Sequence, residues 1–266
     1  NGIAMSCELY LGEYEVREVT APNGMVLNPE SRFVELVYAG QNVAVTETAT
    51  SFENERQKVE ISLVKSIEQN ERFDIGTNGE MKNITFGLFA AEEIVSASGT
   101  SIPANGLIEI VSLNEDGTAT IKTDLPYGRY YVQEIATDSH YKLSDAKYPI
   151  IFEYVGQDTA VVKIAVNDGK AIKNDLIYGS VSGKKVDEDG NALGGAMIGL
   201  FRTDDGEFTK ENALMTTTSA EDGSFSFENI PCGTWYVREI EQPTGFVLDD
   251  TIYPVTIGTD GQVVEI

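Results

Sequence analysis

Three glutamates stand inside segments that otherwise read as apolar strand. Residues 14–28 are YEVREVTAPNGMVLN, residues 130–144 are YYVQEIATDSHYKLS, and residues 235–249 are WYVREIEQPTGFVLD. Each window has a glycine two positions upstream (Gly12, Gly128, Gly233), and a glutamate follows that glycine by six residues (Glu18, Glu134, Glu239). A carboxylate in apolar surroundings is costly unless it has a partner or a task. Candidate partners recur with it. Asn54 lies 36 residues after Glu18, and Asn174 lies 40 after Glu134. A lysine then follows each asparagine by 11 residues, at Lys65 and Lys185. An amine, a carboxyl group and a carboxamide are the ingredients of amide chemistry. Burial favours the neutral, nucleophilic form of the amine. It also favours the protonated carboxylic acid, which can donate to an amide oxygen and shuttle protons.

The elements that would hold these groups are strands. VEISLV (59–64), YYVQEI (130–135), YPIIFEYV (148–155), TAVVKIAV (159–166) and TWYVREI (234–240) alternate or run apolar, with many β-branched and aromatic residues. Turn signals separate them: NG, EDG, NDG, TDDG, EDG and TDG. Only TKENALM (209–215) reads as briefly helical. Many short strands with frequent turns predict an all-β chain of β-sandwiches. Each lysine closes an alternating strand, so Lys65 shares a face with Val59, Ile61 and Leu63, and Lys185 with Val181 and Gly183. A GLF triplet follows each lysine, at 87–89 and 199–201.

The cyclic order is lysine, GLF, glycine, glutamate, asparagine. It divides the chain of 266 residues into three units. Residues 57–176 hold a full set, with Lys65, Glu134 and Asn174. Residues 1–56 hold Glu18 and Asn54 and read as the back half of a unit. Residues 177–266 hold Lys185 and Glu239 and read as a unit lacking its last strand; its asparagine is expected at roughly 275–279 by the same spacing. The chain therefore reads as an excerpt of a longer multidomain protein.

Composition narrows the function. There are 19 basic and 43 acidic residues, a formal net charge of −24. Such a chain lacks the basic footprint of a nucleic-acid binder and would be repelled by anionic membrane surfaces. No apolar run is long enough to span a bilayer. Two cysteines, Cys7 and Cys232, sit at non-equivalent repeat positions and make no disulfide framework. No Cys/His cluster suggests a metal, and no cofactor motif is present. Asp187, Asp189 and Asn191 imitate the start of a calcium loop, but Ala192 and Ile198 stand where it needs glycine and glutamate, so a turn is expected. With one histidine, His140, no Ser/His/Asp arrangement arises, and His140 is expected in a turn. Asn167 competes with Asn174, but Asn167-Asp168-Gly169 reads as a tight turn. Trp235 aligns with Tyr14 and Tyr130 and is expected in the core.

GKKVDEDGNALGGAMIGLF followed by EDGSFSFENIPCGTWYVREIEQPTGFVL resembles the B-type repeat of Gram-positive collagen adhesins, shared with SpaA-type pilins. The likeness covers essentially the whole chain; in the middle window Asp138 and His140 replace the proline and glycine of the third. It implies tandem Greek-key β-sandwiches of the prealbumin or immunoglobulin-like kind. It also implies an isopeptide bond between a first-strand lysine and a last-strand asparagine, assisted by an acid on a middle strand. By position, Lys65 and Lys185 match the lysine, Asn54 and Asn174 the asparagine, and Glu18, Glu134 and Glu239 the acid. The bond forms once, within one chain, so the protein is not expected to be an enzyme in the usual sense. The function implied is an extracellular stalk segment of an adhesin or pilin, anchored to the cell wall through regions outside this chain and packed against neighbouring repeats. The alternative is a module that grips a host matrix protein or glycan. Its likeliest loop would be the segment between Lys65 and GLF, eight residues longer than its counterpart after Lys185.

Overall fold

The computed structural model describes residues 2–95, 99–204 and 206–266. The TDDG turn includes Asp205, which lies outside the described residues. Strands carry nearly all the regular structure, as the alternation predicts. An antiparallel ribbon comes first: β1 (Gly12–Val16) and β2 (Arg32–Leu36). A sandwich follows, with β3 (Lys58–Ile67), β4 (Thr85–Ala90), β5 (Ile94–Val95), β6 (Ser101–Ile102), β7 (Leu107–Ser112), β8 (Thr118–Ile121), β9 (Gly128–Ala136), β10 (Lys147–Phe152), β11 (Val161–Ala165) and β12 (Ile172–Asn174). One sheet runs β10-β9-β4-β7. In the other, β3 pairs antiparallel with β8 and parallel with both β11 and β12. The second sandwich has β13 (Tyr178–Lys184), β14 (Met197–Phe201), β15 (Met215–Thr218), β16 (Ser224–Pro231), β17 (Gly233–Glu241), β18 (Tyr253–Ile257) and β19 (Val263–Glu265). Its sheets run β16-β13-β19 and β15-β14-β17-β18.

Side-chain alternation builds the first core. Val59, Ile61 and Leu63 of β3 face Phe86, Leu88, Val132, Ile150 and Phe152, all buried. Each such side chain contributes on the order of 1.5–3 kcal/mol. The aromatic residue two places after each repeat glycine anchors its window. Tyr14, Tyr130 and Trp235 each donate to the backbone carbonyl four residues back, at 2.7, 2.6 and 2.9 Å. Trp235 and Tyr130 thus bury a ring and still satisfy its polar tip.

One expectation fails. TKENALM is not a helix. Residues 210–212 form a turn in which the Asn212 and Ala213 amides both reach Thr209 O, and Met215 opens β15. Helix formers in a window this short do not outweigh sheet pairing, and Leu200 pairs with Met215 on β14. The long segment between Lys65 and GLF is tied down at several points. Residues 80–83 form a single 3-10 turn, and the Glu80 carboxylate closes the segment by accepting from the Gly76 and Asn78 amides, both at 2.8 Å. Phe73 and Ile75 leave the first sandwich and join the core of the second, beside Leu200, Phe227, Trp235 and Val255. Their apolar side chains are covered, while Glu71, Arg72 and Asp74 around them stay exposed.

That segment locks the junction. Glu68 Oε2 accepts from the Leu176 amide and Oε1 from the Tyr178 hydroxyl, both at 3.0 Å. Arg202 donates to Phe73 O at 2.8 Å. The β1–β2 ribbon docks on the first sandwich by polar contacts instead. Gln157 receives the Ala21 amide at 2.8 Å, Tyr127 donates to Gly24 O at 3.0 Å, and Arg56 pairs with Asp124. Phe33 and Val19 of this N-terminal part remain 77% and 80% exposed, so much of its apolar surface is uncovered.

Candidate functional site

Lys65 lies on the inward phase of β3, and its side chain is fully shut from solvent. The strand is held at that point from both sides. The Lys65 amide donates to Gly117 O at 2.8 Å, and Ile172 of β12 is its parallel neighbour. Gly117 is in the left-handed region at φ +79, and a Cβ there would strike the Lys65 carbonyl oxygen. The turn glycine is therefore required by close approach as well as by conformation. Lys185 has the same arrangement: its amide reaches Gly223 O at 2.8 Å, and a Cβ on Gly223, at φ +77, would strike the Lys185 carbonyl oxygen. The two EDG turns are visible in the sequence, but their contact with the lysines is not.

Glu134 enters from the facing sheet, on β9, with its side chain 1% exposed. Its Oε2 lies 3.9 Å from Lys65 Nζ. Asn174 ends β12, two residues beyond Ile172, the partner of Lys65. Its Nδ2 donates to Glu134 Oε1 at 2.6 Å and to Thr137 Oγ1 at 2.9 Å. Lys65 Nζ donates to Ile172 O at 3.1 Å. Glu134 Oε2 and Asn174 Oδ1 are buried without hydrogen-bond partners among the described residues. The contact differs from the sequence expectation in one respect. Glu134 meets the amide nitrogen of Asn174, where donation to its oxygen was expected.

Burial sets the protonation of the centre. Desolvation pulls the Lys65 amine down to about 8, with Glu134 and Asp175 only partly opposing it. Desolvation pushes the Glu134 carboxyl up, against the smaller opposing effects of Asn174, Lys65 and Thr137. Both directions favour the neutral amine and the neutral acid, the pair that amide chemistry needs.

Glu134 and Thr137 reach the same carboxamide because β9 is irregular. In a regular strand, residues three apart face opposite sides. Between β4 and β9 the register shifts: Thr85 pairs with Ala136 but Phe86 with Glu134, so Ile135 is an extra residue. Such a bulge re-aims the side chains that follow it. The second sandwich has the same irregularity at Ile240, where Met197 pairs with Glu241 and Ile198 with Glu239. Sequence reasoning missed Thr137; its window positions correspond to Ala21 and Gln242, so no repeat flagged it.

The other two windows hold partial sets. Asn54 Nδ2 donates to Glu18 Oε2 at 2.6 Å and to Val26 O at 3.0 Å, and among the described residues no ion pair involves Glu18. Lys185 Nζ lies 3.3 Å from Glu239 Oε2 and 3.5 Å from Asp249 Oδ2. The Asp249 amide also donates to that Glu239 oxygen, at 2.7 Å, just as the Asn28 amide donates to Glu18. Hydrogen bonding from Thr251 holds the Asp249 carboxyl below its ordinary value, and Lys185 adds to the effect. Among the described residues, Lys185 thus faces two carboxylates and no carboxamide. Of the remaining candidates, Asn167 and Asp168 form a left-handed turn, Asp187 to Asn191 a turn between paired Val186 and Ala192, and Cys7 and Cys232 are free thiols.

Comparison with known proteins places this geometry in context. A family model described as SpaA, prealbumin-like fold domain, matches residues 65–170 and again 179–266. A search of curated protein sequences found no match. Among solved structures, the Bacillus anthracis TIE protein superposes with a TM-score of 0.63 at 21% identity. That alignment covers 97% of this chain and 41% of the TIE protein. A streptococcal ancillary pilin aligns at 21% identity over 97% of this chain and 75% of its own, with a TM-score of 0.32. A C-terminal fragment of the pilus adhesin SpaC from Lactobacillus rhamnosus GG aligns at 14% identity over 77% of this chain and 83% of its own, with a TM-score of 0.48.

Proposed function

The chain belongs to the family of SpaA-type prealbumin-like fold domains, and from that premise we propose that it is a stalk segment of a Gram-positive surface adhesin or pilin, stiffened by an autocatalytic amide bond between Lys65 and Asn174. The observation that carries the reading is the shared burial of Lys65, Glu134 and Asn174, with Nζ 3.9 Å from Oε2 and Nδ2 2.6 Å from Oε1.

The steps balance without a cofactor. Glu134 takes a proton from the Lys65 amine and the neutral Nζ attacks Cγ of Asn174. Polarisation of the carbonyl by protonated Glu134 requires the carboxamide to turn over, so that Oδ1 takes the place of Nδ2. The Nζ–Cγ bond forms, the proton carried by Glu134 goes to Nδ2, the Cγ–Nδ2 bond breaks to release ammonia, and the second proton of the attacking Nζ passes to the Glu134 carboxylate. Proximity supplies most of the acceleration, because the fold presses amine and amide together. The product ties β3 to β12 and closes a loop of about 100 residues. By analogy with a disulfide, that restricts the unfolded chain by on the order of 4–5 kcal/mol. It also routes pulling force through a covalent bond, which suits an extracellular stalk exposed to shear and proteases.

The stalk reading is preferred over a host-binding module. The segment best placed to grip a ligand spends Phe73 and Ile75 on the neighbouring sandwich, so its apolar surface serves module-to-module contact. Intact-mass measurement tests the proposal. The chain is expected to be lighter than its sequence by one ammonia, and Glu134→Ala to restore the full mass and lower the unfolding temperature. Wild-type protein at full sequence mass would leave only a buried Lys65–Glu134 ion pair.

A further inference from the structure

We infer that Thr137 is a fourth member of this reaction centre, gripping the reacting end of the Asn174 carboxamide together with Glu134. The inference rests on the amide-bond reading above and adds a residue to it.

Three observations converge on Thr137. Its Oγ1 accepts from Asn174 Nδ2 at 2.9 Å, so the two hydrogens of the leaving nitrogen are shared between Glu134 and Thr137. The bulge at Ile135 is what turns Thr137 toward the same side as Glu134. The turn just beyond is pinned by Asp138, which accepts from Asn83 Nδ2 at 2.6 Å and from the His140 amide at 3.1 Å. Thr137 is therefore held in place by a strand irregularity on one side and a hydrogen-bonded turn on the other.

A hydroxyl suits this position because it both accepts and donates. With Nδ2 beside it, Thr137 accepts. Once the carboxamide turns over, Thr137 donates to Oδ1 alongside protonated Glu134, where negative charge develops during attack. Neither a carbonyl nor a methyl group can do both. In the N-terminal half-unit the corresponding residue is Ala21, and the second Asn54 hydrogen goes to the Val26 carbonyl, which can only accept.

The test uses the full chain, recovered unfolded in denaturant and refolded by dilution, with intact mass read at timed intervals. Wild type is expected to lose one ammonia. Thr137→Val should lose it more slowly, by about tenfold or more, the effect of one lost hydrogen bond in the attack geometry. Thr137→Ser should restore the wild-type rate. A structural role is separated by repeating Thr137→Val in an Asn174→Ala background, where it should leave the unfolding midpoint unchanged. Equal rates for wild type and Thr137→Val overturn the assignment of Thr137 alone. So does a Thr137→Val chain that unfolds earlier in the Asn174→Ala background. No ammonia loss from wild type overturns the amide-bond reading, and this inference with it.

Discussion

The ring of Phe73 meets the indole of Trp235 edge-on, with centroids 4.8 Å apart and planes at 74°. Phe73 belongs to the segment between β3 and β4 of the first sandwich, and Trp235 to β17 of the second. The contact makes the core of one sandwich depend on a segment of the other. It lies close in the chain to the reaction centre, because Glu68, three residues after Lys65, binds the Leu176 amide two residues after Asn174. Tension arriving through the second sandwich thus enters the first at the strands that the proposed bond would join.

Phe73→Ala should destabilise the second sandwich by about 3–5 kcal/mol, the usual cost of removing a buried ring. Trp235 is the only tryptophan, so its fluorescence during urea unfolding reports this core directly. A midpoint unmoved by the substitution would mean that the junction is loose.

Lys65 gives the uncrosslinked protein a defined pH dependence. In Asn174→Ala, the amine is charged in both folded and unfolded states below about pH 8, and the full cost of burying it is felt. Between about 8 and its ordinary 10.5, the folded state has released the proton and the unfolded chain has not. Stability should therefore rise across that window, by up to about 3 kcal/mol, and level off above it. Glu134 acts at the other end. Its raised carboxyl is least costly at acid pH, and its penalty grows as pH climbs past its ordinary 4.5. Urea midpoints for Asn174→Ala and for Lys65→Met/Asn174→Ala isolate the alkaline limb; parallel curves from pH 8 to 10.5 would exclude a depressed Lys65.

Gly117→Ala should disturb the lysine strand from outside the reaction centre. A left-handed alanine costs on the order of 1–3 kcal/mol, before the clash with the Lys65 carbonyl is counted. Unfolding temperature should fall, and amide-bond formation on refolding should slow. Asp116→Ala, one residue earlier and exposed, serves as the control. Equal effects from both would show that the turn matters only as a turn.

Lys185 should stay unreacted in this chain. It lies against Glu239 and Asp249, and neither offers a carboxamide. Lys185→Met and Glu239→Ala are each expected to leave the mass deficit at one ammonia. A deficit that shrinks in either variant would place a second bond in the second sandwich.

The sequence by itself determined the strand content and the identity of the candidate centre. Period-two alternation sets which side chains face inward, so Lys65 reads as buried from Val59, Ile61 and Leu63 alone. The repeat then brings in Glu134, six residues after its glycine as in each window, and Asn174, 11 residues before a lysine as Asn54 is. What only the tertiary structure decided are the contacts between segments with no fixed spacing. TKENALM has helical propensity, but Met215 pairs with Leu200. The segment after Lys65 looks like a free loop until Phe73 is found in a neighbouring core. Thr137 has no counterpart in the other windows, and it points at Asn174 only because Ile135 adds a residue to β9. Local pattern specifies which way a strand's side chains face while the strand is regular. Bulges, junctions and turn-to-strand contacts depend on what lies across the sheet, and the folded partner supplies that information.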